Sequence, residues 1–190
     1  MKKHLLSIFC ALAISTANCQ STATIELLNV ADDKITSIKP CAGCKAAVAI
    51  FISIGCPYDQ HYQERIKTLV EKFGSSVSFF LVNSNPEPSE NEVKMKEALA
   101  SWALNIPYLS DKNQTAMLAL NAKRTPEAVL LKPTGNVLKT VYQGAIDDNP
   151  QVHHDTGKDF LRDAIEELIS GKPVKVATER VIGCSIRRKG

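Results

Sequence analysis

Cysteine is the residue type whose positions in this sequence most clearly indicate chemistry. The chain has 190 residues and six cysteines. Cys56 follows the apolar run 47–54 after one glycine, Gly55, and directly precedes Pro57. The run predicts a buried strand, and Pro57 fits the first residue of a helix, where a missing N–H costs nothing. Cys56 would therefore lie at a helix N-terminus, whose partial positive charge favours the nucleophilic thiolate over the thiol.

A second pair of cysteines, Cys41 and Cys44, forms a C-x-x-C in the loop before this strand. Three interpretations stay open: a local disulfide, a dithiol that resolves an oxidised Cys56, and a metal site shared with Cys56 or His61. We predict no metal, because one C-x-x-C lacks the second ligand pair typical of zinc sites. Haem attachment is disfavoured, since Lys45 stands where a histidine is needed.

The last cysteine, Cys184, lies in a tail near the end of the chain. It is either a simple tail cysteine or the thiol that resolves Cys56. In the second interpretation the tail folds back over the end of the buried strand. The apolar neighbours Val181, Ile182 and Ile186 would give the tail a reason to dock there.

The N-terminus reads as a signal peptide, residues 1–19. Two lysines precede the apolar segment 5–17, which is too short to span a bilayer. Signal peptidase could cleave after Ala17, or Cys19 could become the lipidated N-terminus of a lipoprotein; an uncleaved anchor is the third alternative. Both main interpretations predict export to the periplasm or cell envelope, where disulfides persist. Membrane contact would come only through a lipid at Cys19.

Composition predicts one globular domain, which we assign to residues 25–186, with 174–190 as its C-terminal tail. Apolar residues make up 44% and charged residues 23% of the chain, and the net charge is +3. These values are ordinary for a globular protein. No basic stripe or interleaved aromatic run suggests nucleic acid as a partner.

The elements that must position the cysteines alternate between strands and helices. The first strand, 25–30, is expected at a sheet edge. Ser89 and Glu92 fit a capping box at the start of the second helix. The alternation predicts a parallel central sheet with helices on both faces, to which a hairpin around Gly135 adds antiparallel strands. The further predicted strands are 35–38, 77–83, 128–132 and 137–142, and the helices are 58–73, 89–105, 113–121 and 157–170.

With these elements in place, the chain resembles the thioredoxin-like superfamily and, within it, the peroxiredoxin-like redoxins related to alkyl hydroperoxide reductase and thiol-specific antioxidant proteins. The resemblance covers roughly residues 25–186. Each mark is weak alone, but together they occur in the order and at the spacings of this group. The marks are Cys56-Pro57-Tyr58, Thr125-Pro126, the Gly135 hairpin, the run 142–150, Gly171-Lys172-Pro173-Val174 and the run 182–186.

The resemblance implies an α/β thioredoxin-like fold, with a central mixed β-sheet flanked by helices on both faces. It implies that Cys56 is the nucleophile. It also implies that Pro126, after Thr125, is the cis-proline whose loop lies beside that cysteine and holds an extended substrate chain. Ser53 matches the hydroxyl residue that peroxiredoxins carry three residues before the cysteine. No organic cofactor is implied.

This sequence departs from the family pattern at several positions. Asp59 stands where thioredoxins have their second cysteine, and Ser53 stands where the redoxin subgroup often has one. Ala49 replaces the upstream proline of peroxiredoxins, and Arg124 lies near, but out of register with, their activating arginine. The peroxide site is therefore half present. Asp59 would raise the pKa of the Cys56 thiol, whereas a protonated His61 would lower it.

We predict an exported thiol–disulfide oxidoreductase or a peroxiredoxin-like antioxidant protein. Its substrate would be a protein disulfide or a peroxide, and a thiol reductant would complete the cycle. The alternative is a non-catalytic thioredoxin-fold binding module or metal carrier of the cell envelope, which would have an unreactive thiol. The run His153-His154-Asp155 is interpreted as a solvated loop rather than a metal site.

Overall fold

The computed structural model describes residues 21–22, 24–152 and 156–189. They form a central mixed sheet with helices packed on both of its faces. The α/β fold class predicted from the sequence is confirmed.

Two predictions concern residues outside the described ranges. These are the leader 1–19, with Cys19, and the histidine-containing run 153–155. Within the described ranges, no helix is long and apolar enough to cross a membrane.

Ten strands are assigned in the described part of the chain, eight of them in the main sheet. The eight are β1 (Ser21–Thr22), β2 (Ile25–Asn29), β3 (Lys34–Ile38), β4 (Ala46–Phe51), β5 (Val77–Asn83), β6 (Tyr108–Ser110), β8 (Glu127–Thr134) and β9 (Val137–Gly144). Their spatial order is β1-β9-β8-β4-β5-β6-β2-β3. The remaining two, β7 (Arg124–Thr125) and β10 (Cys184–Ser185), form a separate two-stranded ribbon.

Strand β4, which leads to Cys56, lies in the middle of the sheet. It pairs in parallel with β5 and antiparallel with β8. All six of its residues are buried. Alternate side chains of a strand point to opposite faces, so Val48 and Ile50 enter one hydrophobic layer, and Ala47 and Ala49 enter the other. Burial on both faces explains the unbroken apolar run in the sequence.

The helices divide between these two layers. They are α1 (Pro57–Phe73), α2 (Glu92–Trp102), α3 (Thr115–Ala119) and α4 (Phe160–Ile169). Helices α1, α2 and α4 contribute to the first layer, whereas α3 contributes to the second. Ile186 of the tail also packs in the second layer, and this packing brings the end of the chain back to the sheet.

The predicted edge position of the first strand is wrong. Strand β2 pairs with β3 on one side and with β6 on the other, so β3 lies at the edge. The half-buried pattern of β2 is compatible with either position. Its second partner comes from residues about eighty positions later in the chain, and no local pattern encodes that pairing.

The predicted capping box is also wrong. Ser89 lies in a separate 3₁₀ turn, Pro88–Glu90, and Asn91 is the residue that caps α2. The Asn91 side chain accepts the Lys94 N–H at 3.1 Å. Glu92 instead accepts the Ser110 hydroxyl at 2.6 Å. Asparagine is as good a cap as serine, and its position directly before the helix decides between them.

Candidate redox site

The cysteine at the centre of the site is held at the end of β4. Cys56 is the N-cap of α1, and Pro57 is the first helical residue, as the sequence predicts. The Asp59 N–H donates to the Cys56 carbonyl oxygen at 3.1 Å, which forms the first turn of the helix. The Cys56 side chain is 1% exposed. Its sulfur therefore lies beside free N–H groups of the helix, in a place shielded from water.

Two buried carboxyl groups fix the loop between β4 and Cys56. Asp59 Oδ2 accepts the Ser53 N–H at 2.6 Å. Glu90 accepts the N–H groups of Ile54 and Gly55, each at 2.8 Å. These contacts satisfy the backbone donors of a loop that has no strand or helix partner. Ser53, a predicted site residue, is linked to the site through its backbone amide.

The loop that faces Cys56 contains a cis peptide bond between Thr125 and Pro126. The carbonyl oxygen of Thr125 lies 3.5 Å from the Cys56 sulfur. Thr125 is buried, and it belongs to the short strand β7. The structure therefore brings together three of the residues singled out in the sequence: Cys56, Thr125 and Pro126.

The C-terminal tail covers this loop and joins the site covalently. Strand β10 pairs antiparallel with β7, so that Cys184 lies opposite Thr125. Cys184 forms a disulfide with Cys56, with their Cα atoms 6.0 Å apart. A Cβ atom on Gly183 would collide with the Thr125 carbonyl group and approach Pro126. Only glycine therefore lets the tail lie this close to the proline loop.

Polar contacts fasten the tail on either side of the disulfide. The Arg124 guanidinium donates to the Gly183 carbonyl oxygen at 3.0 Å. The Ile186 N–H donates to the Lys123 carbonyl oxygen at 3.0 Å. Arg124, which the sequence places near a peroxiredoxin arginine, is exposed and engaged with the tail rather than aimed at Cys56.

Asp59 is the most perturbed carboxyl group of the site. Burial raises its pKa to about 8, and the Glu90 charge acts in the same direction. The Ser53 N–H and the Thr125 hydroxyl act in the opposite direction, but they do not offset the burial. Within the described residues, Asp59 Oδ1 and Thr125 Oγ1 have no hydrogen-bond partner, although the hydroxyl is close enough to influence the carboxyl. A neutral carboxyl group thus lies beside the cysteine at neutral pH.

From the sequence, Asp59 is the residue in place of a second cysteine and a charge that would raise the pKa of the Cys56 thiol; its burial is not predicted. Asp59 begins the buried stripe of α1, which continues through Tyr62, Ile66 and Leu69. Its helical spacing from those residues was the available signal. Glu90 had no comparable signal, because the backbone amides that it binds in the loop are 35 and 36 positions away.

A buried ion pair ties α1 to the segment that follows β9. Arg65 lies 2.6 Å from Asp147, and both side chains are at most 5% exposed. The Tyr62 hydroxyl donates to the same carboxylate at 2.8 Å. A cavity of about 190 Å³ lies beside this network, and its lining includes Pro126, Asp147 and Ile182. This cavity borders the proline loop through Pro126, whereas a cavity of about 220 Å³ lies farther along α1 and does not include Pro126.

Cys41 and Cys44 are not brought to this site. They are bonded to each other, and they precede β4, whereas Cys56 follows it. Among the cysteines that the structure describes, Cys184 is therefore the one in contact with Cys56. His61 is exposed. No group of three or more metal-ligating side chains is found among the described residues.

Comparisons with solved structures give the same fold. An uncharacterized conserved protein from Geobacillus kaustophilus is 29% identical, with 90% of this chain and 92% of that chain covered and a TM-score of 0.78. A hypothetical protein from Sinorhizobium meliloti 1021 is 24% identical, with 91% and 95% covered and a TM-score of 0.74. A thiol-disulfide oxidoreductase from Bacteroides fragilis NCTC 9343 is 14% identical, with 65% and 88% covered and a TM-score of 0.54. The last two likenesses concern the fold alone.

A curated protein also matches part of the sequence. The cytosol non-specific dipeptidase of Escherichia coli K12 is 29% identical over 97 residues, which are 51% of this chain and 19% of the dipeptidase. The chain spans about a fifth of the length of that relative. A match to a fifth of the dipeptidase gives no ground for assigning dipeptidase activity to this chain.

The family is decided by a match that covers most of the fold. The Redoxin family model matches residues 20–155, which include β4, Cys56 and the proline loop. Helix α4 and the tail with Cys184 lie beyond the matched residues. The matched region, with a cysteine at the helix N-terminus and a cis-proline beside it, supports a thiol-based redox function. The chain belongs to the Redoxin family.

Proposed function

We propose that this chain is an exported thiol–disulfide oxidoreductase in which Cys56 is the nucleophile and Cys184 the resolving cysteine. The observation that carries the proposal is the disulfide between these two residues at the N-terminus of α1, beside the Thr125–Pro126 loop. A reactive cysteine needs an environment that stabilises its thiolate. The helix N-terminus supplies it, and the Thr125 carbonyl oxygen can accept the thiol proton of the uncharged form.

In the reduced protein, the Cys56 thiolate attacks one sulfur of a substrate disulfide. A mixed disulfide forms, and one substrate thiolate leaves. The Cys184 thiolate then attacks the Cys56 sulfur, releases the second substrate thiolate and forms the Cys56–Cys184 disulfide. Two electrons pass from the cysteine pair to the substrate, and the two substrate thiolates take up protons.

A thiol reductant returns the Cys56–Cys184 disulfide to two thiols. The solvent exposure of the two sulfurs decides which of them the reductant attacks. Cys56 is 1% exposed, whereas Cys184 is half-buried. An incoming thiolate therefore reaches the Cys184 sulfur first, and Cys56 is the leaving group. A leaving thiolate departs faster when its pKa is low, and the helix N-terminus lowers that of Cys56.

We assign to Asp59 the exchange of protons with the Cys56 sulfur. The carboxyl group lies in the same first turn as the cysteine, and its Oδ1 has no hydrogen-bond partner in the described part of the chain. Burial raises its pKa to about 8, so it carries a proton at neutral pH. It can pass this proton to the Cys56 thiolate released from a disulfide and recover it when the thiol is deprotonated for the next attack.

Peroxide reduction is less well supported than disulfide exchange. Arg124 is exposed and bonded to the tail. The ionisable side chains described within the buried site are the carboxyl groups of Asp59 and Glu90, and neither would stabilise negative charge on a peroxide. A non-catalytic binding module would require an inert Cys56, which the helix N-terminus disfavours.

Export is proposed from the leader pattern of residues 1–19 and from the two disulfides, since such bonds persist outside the reducing cytoplasm. The N-terminal mass of the protein purified from a bacterial host tests it. A lipid-modified Cys19 or a free N-terminus after Ala17 would support export. An intact leader on cytosolic protein would contradict it.

The catalytic assignment is tested by trapping. Cys184→Ser protein is reduced and mixed with a disulfide peptide, and mass spectrometry locates the adduct. We expect the peptide on Cys56, and we expect Cys56→Ser to lower insulin reduction at least about tenfold. The variant Ser185→Ala, a change on the exposed neighbour, is the control. Full turnover in Cys56→Ser would overturn the assignment, and rapid peroxide consumption by wild-type protein would favour the peroxidase.

A further inference from the structure

A second disulfide lies at the other end of β4. Cys41 and Cys44 are bonded with their Cα atoms 5.0 Å apart. The six residues of β4 separate this pair from the Cys56 site, which at about 3.3 Å per residue is about 20 Å. We propose that the Cys41–Cys44 disulfide is a second redox site, which exchanges electrons with dithiol reductants independently of Cys56.

The Cys41–Cys44 disulfide is exposed to solvent, whereas Cys56 is buried. Cys41, Ala42 and Gly43 are exposed, and Cys44 is partly exposed. A Cβ atom built on Gly43 would meet nothing within 4 Å, so no neighbouring segment covers the turn. A bulky thiolate can therefore approach along the S–S axis without any rearrangement. The buried sulfur of Cys56 offers no such approach.

The turn does not depend on its disulfide. The Cys41 N–H donates to the Ser78 hydroxyl at 2.8 Å. The Cys44 N–H donates to the Cys41 carbonyl oxygen at 2.9 Å, and the Lys45 N–H to the Ser76 carbonyl oxygen at 2.8 Å. These bonds join the turn to the start of β5 on both sides. The loop that the disulfide closes is also very short, and short loops give the least stabilisation.

Exposure, rather than a charged partner, distinguishes this disulfide. Lys39 and Lys45 flank the pair in the sequence, and both are exposed. The Lys45 ammonium group donates to the Ile169 carbonyl oxygen at 2.6 Å, so its charge lies at the end of α4.

The exchange begins at the more exposed sulfur. A thiolate of the dithiol attacks Cys41, a bond forms between them, and the S–S bond breaks with Cys44 leaving as a thiolate. The second thiolate of the dithiol then attacks the first sulfur of the same dithiol, which is bonded to Cys41, and Cys41 leaves as a thiolate. Two electrons pass from the dithiol, which becomes a disulfide, to the cysteine pair, and the two cysteine thiolates are protonated from solvent according to their pKa values.

Differential alkylation of the folded wild-type protein tests the proposal without any substitution. Dithiothreitol is added, free thiols are blocked at intervals, and mass spectrometry follows each cysteine separately. We expect Cys41 and Cys44 to become reactive at least about tenfold faster than Cys56. Circular dichroism should show an unchanged fold at that stage. If Cys41–Cys44 is reduced only when the protein unfolds, the disulfide is purely structural and the proposal fails.

Reversibility is tested in mixtures of reduced and oxidised glutathione. A redox site gives a graded, reversible change in the oxidised fraction of the pair, whereas a disulfide that stays oxidised at every ratio contradicts the proposal. Insulin reduction by Cys56→Ser/Cys184→Ser should keep a residual rate that the further change Cys41→Ser/Cys44→Ser removes. If Cys56→Ser/Cys184→Ser shows no residual rate, the proposal for Cys41–Cys44 fails while the role of Cys56 stands. Failures of the two proposals are therefore distinguishable.

Discussion

At the scale of single residues, Asp59 is the least expected feature of the site. A carboxyl group at the position of a missing cysteine would ordinarily be charged and would hinder thiolate formation. Burial changes this, because it raises the pKa of Asp59 to about 8 and keeps the group neutral at neutral pH. Its Oδ2 also accepts the Ser53 N–H. Asp59 thus holds the loop before Cys56 through the Ser53 N–H, and it carries a proton in the helical turn that begins at Cys56.

The raised pKa has a consequence for stability. Between the ordinary aspartate pKa of 3.8 and about 8, folded Asp59 keeps a proton that the unfolded chain has released. The folded state binds more protons in this window, so its stability falls as pH rises, by up to about 1.4 kcal/mol per pH unit. Asp59→Asn removes this loss while keeping an acceptor for the Ser53 N–H.

We therefore expect the free energy of unfolding of oxidised wild-type protein to fall relative to Asp59→Asn from about pH 4 to about pH 8. Urea titrations of both proteins across that range measure it. Asp163→Asn, a change at an exposed carboxylate of α4, should run parallel to wild type. Parallel curves for Asp59→Asn and wild type would show that Asp59 is charged in the fold.

At the scale of elements, the site is an assembly of short segments that hold one another. Helix α1 supplies the cysteine, and β7 supplies the proline loop. Strand β10 of the tail lies on β7 and closes the disulfide. The tail thus lies along the loop that, in the resemblance to thioredoxin-like proteins, holds an extended substrate chain. The β10–β7 pairing and the buried Ile186 hold the tail there in addition to the disulfide.

Gly183→Ala tests the close approach of these strands. The added Cβ would collide with the Thr125 carbonyl group, so β10 would move away from β7. Since a disulfide needs its Cα atoms within about 7 Å, we expect the equilibrium for forming Cys56–Cys184 to fall at least about tenfold. The oxidised fraction in glutathione mixtures measures it. Ser185→Ala, on the exposed face of β10, should leave it unchanged; equal effects of the two changes would contradict this packing.

The Arg65–Asp147 pair joins α1 to the segment after β9. Asp147→Ala would leave the Arg65 guanidinium buried without its carboxylate, which costs about 3–5 kcal/mol. Lys72 and Glu166 also join α1 to another element, but both are about half exposed. Lys72→Ala should therefore cost at most about 1 kcal/mol. Urea unfolding compares the two, and similar losses would mean that the buried pair is not isolated from water.

At the scale of the whole molecule, the two disulfides close very different loops. Cys56–Cys184 spans 128 positions and Cys41–Cys44 spans 3. Chain entropy assigns about 5 kcal/mol to the first and about 2 kcal/mol to the second. We expect thermal unfolding to shift more for Cys184→Ser than for Cys41→Ser/Cys44→Ser. A reversed order would identify the short disulfide as the structural one.

The sequence by itself determined the elements whose cause is local. The apolar run before Cys56 reflects burial of β4 on both faces, and Pro57 marks the start of α1, so the position of Cys56 at a helix N-terminus could be predicted. The resemblance to redoxins could be recognised from the same marks, and the match to the Redoxin family model confirms it. The edge position of β2 was predicted wrongly because its second partner, β6, is distant in the chain and no local pattern encodes the pairing. The helix cap was predicted wrongly because Ser89 and Asn91 have similar local preferences for that role.

Only the tertiary structure decided which cysteine meets Cys56. Cys41 and Cys44 are nearer in the chain, but the length of β4 holds them at the opposite end of the sheet. Cys184 is 128 positions away and reaches Cys56 because Gly183 and the buried Ile186 let the tail pack on β7. Local pattern encodes strands and helix ends, whereas pairing between distant segments depends on the surfaces that folding brings together. The neutral Asp59 follows from the same cause, because its burial exists only in the folded chain.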